Sequence, residues 1–175
     1  MGRMATMGRM AVMTADSPGA AREAGGAGGG LALADFLPYR LSVLSNLVSG
    51  AIAEHYRAEF GLTIPQWRVI AVLGEGRDLT ARDISAVTAM DKVAVSRAVA
   101  ALVKRRLAAR RPAPQDGRAS LLRLTAAGRR IYERVVPAAQ ALESRLLDGL
   151  AASERRALDK LVAKLTDRAK TLGER

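Results

Sequence analysis

The sequence predicts a mainly α-helical fold carrying one small β-hairpin, and three observations predict it. The 175-residue chain is 49% hydrophobic but only 3% aromatic, so its core must be built from Ala, Leu and Val, a composition that favours helices over sheets. Apolar residues recur at three- and four-residue spacing in several segments, each opened by a Ser, Thr or Asp suited to a helix start. Between two short apolar and basic runs lies "PAPQDG", a turn composed of Pro, Asp and Gly.

The elements follow in order. Residues 1–34 are expected to be a disordered tail. "MGRMATMGRMAVM" nearly repeats itself and "SPGAAREAGGAGGG" has linker composition, so neither can bury enough apolar surface to order. The regular Met spacing also fits a start codon placed upstream of the natural one. Residues 35–61 predict a long helix from Asp35 to Phe60. Its stripe of Leu37, Leu41, Leu44, Val48, Ala51 and His55 suits packing against another helix, and Gly61 ends it.

Residues 62–125 carry the most signal. Thr63, Pro65 and Gln66 form a helix start with a capping box, followed by Trp67, Ile70 and Leu73 and a stop at Gly74 to Gly76. Thr80 with Asp83 opens a short helix through Ile84 and Val87, "TAM" turns the chain, and Asp91 caps the next helix. That helix has two faces. Val95, Val99, Leu102 and Leu107 belong to a core, while Asp91, Lys92, Ser96, Arg97, Lys104, Arg105 and Arg106 point elsewhere. Two short helices joined by a turn, the second one basic, make a helix-turn-helix pattern. "LAARR" and "SLLRLT" then predict the two strands of a hairpin, which completes the layout of a winged helix. In residues 126–175, Thr125 caps a helix bearing Ile131, Val135 and Leu142, with a kink expected at Pro137. Ser153 is expected to cap a last helix through Leu158, Leu161, Val162 and Leu165.

Charge narrows the function. The net charge is +11, and the segment from Asp91 to Arg130 alone holds 11 Lys or Arg against 2 Asp. Such a localised positive field selects a polyanion, and double-stranded DNA is the partner expected. Catalysis is not expected: one His, no Cys and no paired carboxylates leave nothing for general acid–base or nucleophilic work. The same scarcity predicts no metal and no cofactor. No apolar run is long enough to span a bilayer and no secretory signal is evident, so a soluble, cytoplasmic protein is expected.

The run "VAVSRAVAALVKRRLAARRPAPQDGRASLLRLTAAG" resembles the MarR family of bacterial winged-helix transcription regulators. In it a recognition helix leads into a basic strand, a D-x-R element (Asp116, Arg118) marks the wing tip, and "LT..G" opens the next helix. The resemblance extends over roughly Leu37 to Leu172. It implies a homodimer with interlocked first and last helices, binding to a pseudo-palindromic operator, and release by a small aromatic acid or related compound. "LPYRLSVLSN", "IPQWRV" and "MDKVAVSRAV" further resemble regulators of hydroxycinnamate breakdown that answer to aromatic acyl-CoA thioesters. One departure stands out. Where the family has Gly just after the recognition helix, this chain has Arg106, and a non-Gly residue in a left-handed conformation there costs about 1 kcal/mol.

On that frame, the first turns of the recognition helix lie nearest base edges. Ser96 and Arg97 are the leading candidates for contact, beside Lys92 and the small surfaces of Val93 and Ala94. Asp116 is implied to hold the wing through an ion pair, and Arg118 suits a minor groove. Arg110, Arg111 and Arg123 read equally as phosphate contacts or as solvated strand residues. For an effector, Arg40 or Arg68 can pair a carboxylate or phosphate and Trp67 can stack on a ring, with Tyr39 and His55 nearby. A Trp and a His on helical stripes are more often core residues, and Arg68 reads also as a dimer or DNA contact. The function expected is a sequence-specific regulator, most simply a repressor. The alternatives are an architectural DNA-binding protein without an effector, or a scaffold whose helices bind another protein.

Overall fold

The computed structural model describes residues 30–112 and 120–172. Six helices and one hairpin follow in the expected order: α1 (Leu37–Phe60), α2 (Ile64–Gly74), α3 (Ala81–Thr88), α4 (Lys92–Lys104), β1 (Ala108–Pro112), β2 (Ser120–Leu124), α5 (Ala126–Leu146) and α6 (Ala152–Leu172). The fold is that of a winged helix-turn-helix.

Local chemistry sets most of the boundaries. Helix α1 starts at Leu37, two residues later than the apolar pattern alone suggests, with Phe36 extended before it and Pro38 in its first turn. It ends at Gly61, whose φ of 57° lies in the left-handed region. Thr63 and Gln66 make the expected capping box on α2, and Thr80 and Asp83 do the same on α3. Hydrogen bonds from the Thr80 hydroxyl and backbone hold the Asp83 carboxyl below its ordinary pKa. Thr125 caps α5, accepting from the Gly128 amide. Pro137 lies inside α5, which runs on to Leu146.

Ser153 does not cap α6. The helix begins at Ala152, so Ser153 is already inside it, and the Glu154 carboxylate accepts from the Ala151 amide at 2.7 Å instead. A carboxylate near a helix N-terminus meets both the open amide and the positive end of the dipole. Val87 also differs from expectation: it is exposed on α3, where Ile84 alone is fully buried.

The core gathers α2, α3, α4 and the hairpin around Leu62, Val69, Ile70, Leu73, Ile84, Val95, Val99, Leu102 and Leu122, with Ala53 and Tyr56 of α1 and Val135 of α5 closing it. Strands β1 and β2 are antiparallel, pairing Ala108 with Leu124 and Arg110 with Leu122. Leu79, before α3, adds a third rung by exchanging two backbone hydrogen bonds with Leu122. The wing is thus tied to the helix-turn-helix through its second strand.

The start of α5 explains the "LT..G" element. Thr125 donates its hydroxyl to the carbonyls of Arg106 and Leu107, and its amide also bonds Leu107 O at 3.0 Å. That draws α5 so close to the chain after α4 that a Cβ on Gly128 would overlap the Leu107 carbonyl oxygen. Glycine is needed there for closeness rather than for its φ.

Two apolar faces lack a cover among the described residues. Helix α6 buries none of its residues, and Leu158, Leu161, Val162 and Leu165 stand exposed along it. The first half of α1 exposes Leu37, Leu41, Leu44 and Leu47. Isolated exposed leucines are ordinary, but two contiguous helical stripes of them are not. No helix among the described residues is long and apolar enough to cross a membrane.

Candidate nucleic-acid interface

Helix α4 is pinned by its apolar side and left open on the other. Val95, Ala98, Val99 and Leu102 are buried, whereas Lys92, Val93, Ser96 and Arg97 are exposed. The Asp91 carboxylate accepts from the Ala94 amide at 2.7 Å, which fixes the first turn. Arg97 borders a small cleft of about 280 Å³, shared with Thr63, Pro65 and Gln66 at the start of α2. The helix therefore offers one charged fork, one hydroxyl, one lysine and one apolar surface in its first two turns. A major groove is met by such a set: a guanidinium for guanine, an apolar group for a thymine methyl.

The far end of α4 resolves the question raised by Arg106. Leu107 N bonds Leu102 O and Arg106 N bonds Val103 O, each at 2.9 Å, which is the Schellman pattern. Arg106 sits in the left-handed region with φ 55°, so this chain bears the cost that a glycine would avoid. Leu102 and Leu107, the two hydrophobic positions of the motif, are both buried.

Not every basic residue of the segment stays free. Arg105 turns away from the open face, donating from Nη2 to Phe60 O at 2.5 Å and from Nη1 to Gly61 O at 3.3 Å. Arg111 pairs with Asp78, anchoring β1 beside the Leu79 rung. Arg110 and Arg123 are exposed on the two strands. Asp116 and Arg118 lie outside the described residues.

The five effector candidates do not form one cluster. Tyr39, Arg40 and His55 are exposed on α1. Trp67 and Arg68 are half-buried on α2, and Arg68 donates to the Ser49 hydroxyl at 3.4 Å. Trp67 stacks on Tyr56 (centroids 5.4 Å apart) and on Tyr132 (6.4 Å), so its ring is engaged within the chain. Burial raises the pKa of the Tyr56 hydroxyl, with Arg57 and Arg68 opposing. Arg129 lies over Tyr132 at 5.3 Å and donates to Gly74 O at 2.5 Å. This ladder of three rings and a guanidinium joins α1, α2 and α5. Neither Tyr132 nor Arg129 stands out in the sequence, because their partners lie far away along the chain.

Beside the ladder runs a cleft of about 420 Å³ between α1, α2 and α5. Val48, Ile52, Trp67 and Tyr132 give it apolar walls, and Glu75 and Glu143 supply carboxylates. Glu75 is paired with Arg77 at 2.8 Å. Among the described residues no group of three or more His, Cys, Asp or Glu is arranged to hold a metal ion.

A helix-turn-helix with an open basic face, tied to a two-stranded wing, defines a DNA-binding transcription regulator. A MarR family model matches residues 60–119, from the end of α1 into the wing. Solved structures agree. A "probable transcriptional regulator" from Pseudomonas aeruginosa is 30% identical with a TM-score of 0.64, the match covering 76% of this chain and 98% of that one. PcaV of Streptomyces coelicolor, solved with its natural ligand, is 27% identical with a TM-score of 0.64 over 81% and 99% of the two chains. BpsR of Bordetella bronchiseptica, whose DNA binding is regulated by 6-hydroxynicotinic acid, is 26% identical with a TM-score of 0.68 over 79% and 99%. No curated protein matches the chain significantly. The chain belongs to the MarR family of transcriptional regulators.

Proposed function

We propose that this regulator works as a homodimeric repressor on a pseudo-palindromic operator and is released by a small aromatic acid or its CoA thioester. The open face of α4 carries the first part of the reading. Lys92, Val93, Ser96 and Arg97 are exposed in its first two turns, while the rest of the helix is locked into the core. Arg97 reads base edges, Lys92 and Ser96 support it, and Arg110 and Arg123 meet phosphates. Arg111, already paired with Asp78, is the weakest of the strand candidates. Asp116 and Arg118 keep the wing-tip roles that the family resemblance gives them.

The dimer rests on the two uncovered stripes. The leucines of α6 and of the first half of α1 need a cover of matching apolar character, and a second copy supplies both stripes at once. The division of labour follows: 35–61 and 126–175 hold the dimer and 62–125 binds DNA, while residues 1–29 of the expected N-terminal tail lie outside the described residues.

The effector reading draws on BpsR, whose regulator is an aromatic acid, and on PcaV, which was solved with a ligand. In this chain the cleft between α1, α2 and α5 offers apolar walls for a ring. The charged residues that line the cleft are Glu75 and Glu143, so the cations for the acid come from beside it: Arg68, which donates to Ser49, and Arg40, exposed on α1. Tyr39 and His55 are exposed on α1, apart from Arg68.

The test has two arms. An operator selected from random duplexes should bind at least about 10³-fold more tightly than its scrambled counterpart. Hydroxycinnamates or their CoA thioesters should then displace it. Equal affinity for both duplexes would replace the operator reading with an architectural one, and binding of neither acid nor thioester would remove the effector assignment.

A further inference from the structure

From the geometry around Arg105 we infer that this residue sets the distance between the two recognition helices of the dimer, and so selects the spacing of operator half-sites. The inference rests on the dimeric operator reading above. Arg105 closes α4, at its C-cap, with φ −81° and ψ 1°. From there its guanidinium reaches back 45 residues to the last turn of α1. Nη2 donates to Phe60 O at 2.5 Å and Nη1 to Gly61 O at 3.3 Å. Both carbonyls belong to the end of a helix, where acceptors are left over and the dipole is negative. A planar fork with several donors can hold two such oxygens at once, which an ammonium does less well.

The rest of α1's last turn is gripped from the opposite element. Glu59 pairs with Arg134 of α5 at 2.6 Å. Residues 59, 60 and 61 are therefore held by one arginine from α5 and one from α4. The α1 helix carries an uncovered leucine stripe in its first half, on which the dimer reading depends, while α4 carries the open reading face. Arg105 is a direct bond between these two elements, whose other coupling runs mainly through α2, which packs on both of them.

Leverage makes that bond consequential. Helix α4 has 13 residues and is about 20 Å long at 1.5 Å per residue. Because α4 is locked into the core, the DNA-binding unit moves as one body, and its tilt by about 10° about the Arg105 end displaces the first turn of α4 by about 3.5 Å, close to the rise of one base pair along a strand. Arg97 sits eight residues before Arg105, about 12 Å along the axis, so Arg105 does not share its groove contacts. It acts by holding the DNA-binding unit at a set angle to α1.

The experiment measures affinity of the full-length protein for a selected operator and for the same operator with one or two base pairs added to or removed from its centre. Wild type should lose about tenfold or more for a one-base-pair change. Arg105→Ala should flatten that profile to within about threefold, with its salt slope unchanged and its single-base preferences intact. Arg105→Lys should fall between, keeping the charge but not the fork. If Arg105→Ala fails to fold, Arg105→Lys and Arg105→Gln carry the same comparison. A salt slope shallower by about one per subunit, with the spacing profile kept, would make Arg105 a phosphate contact and overturn the inference. An unchanged profile and slope would overturn it too. A wild-type protein without any preferred spacing would overturn the dimeric operator reading, and this inference with it.

Discussion

Gly128→Ala should destabilise the protein, against the intrinsic preference of a helix. Gly128 lies three residues into α5, where Ala is favoured over Gly by about 1 kcal/mol if the position is open. It is closed. The added Cβ would overlap Leu107 O, approach Leu107 C to 3.0 Å and lie 3.2 Å from Leu124 Cδ2. Leu107 cannot retreat freely, since its carbonyl accepts from both the amide and the hydroxyl of Thr125 and its amide closes the Schellman turn of α4. Relief requires α5 to move roughly 1 Å from Leu107, which strains the packing and weakens those bonds at a cost of about 2–3 kcal/mol. Offset by helix propensity, the net loss should be about 1–2 kcal/mol, or roughly 3–8 °C in Tm for a chain of this size. The assay is thermal unfolding followed by circular dichroism, with both proteins at one concentration. A Tm equal to or above wild type would refute the reasoning, because it would mean that α5 does not seat on Leu107.

Arg106→Gly should raise stability by up to about 1 kcal/mol, since glycine adopts the left-handed conformation without cost; a chemical denaturation curve with unchanged slope checks it. Thr80→Ala should cost about 1 kcal/mol by uncapping α3. The Asp83 carboxyl has a lowered pKa, so its contribution is present above its ordinary value of 3.8 and is lost as pH falls through the lower folded value. The Tm gap between Thr80→Ala and wild type should accordingly be widest near neutrality and narrow below pH 3.8, as melts across that range would report. Deleting residues 152–172 should yield monomers or aggregates in sedimentation, with operator binding lost; a stable dimer would show that α6 is not its seam.

What the sequence disclosed was what neighbours along the chain decide. Thr63, Thr80, Asp91 and Thr125 each cap an amide three residues away, so spacing alone locates them. Ser153 misleads for the same reason: Glu154, one residue on, competes for the same helix start and reaches Ala151. The partners of Arg105 and Arg129 lie 44 to 55 residues away, and no periodicity marks them. Arg105 looked like part of a basic DNA face because charge type was visible and direction was not. The same holds for Arg111, whose partner Asp78 is brought to it by the rung between Leu79 and β2. Trp67 was visible as an aromatic on a helix, but its two stacking tyrosines come from other elements, and only the assembled chain brings them to it.

The most direct test of base reading by the open face of α4 is the affinity of wild type and Arg97→Ala for a selected operator and its complete set of single-base variants, at fixed salt. Arg97→Ala should lose about 1–3 kcal/mol per base contact removed and become indifferent to the base at one symmetric pair of positions, while preference elsewhere is kept. Its melting temperature should match wild type, because Arg97 is exposed and leaves no gap in the core. An Arg97→Ala protein that binds more weakly everywhere yet keeps every base preference would contradict the assignment and make Arg97 a backbone contact.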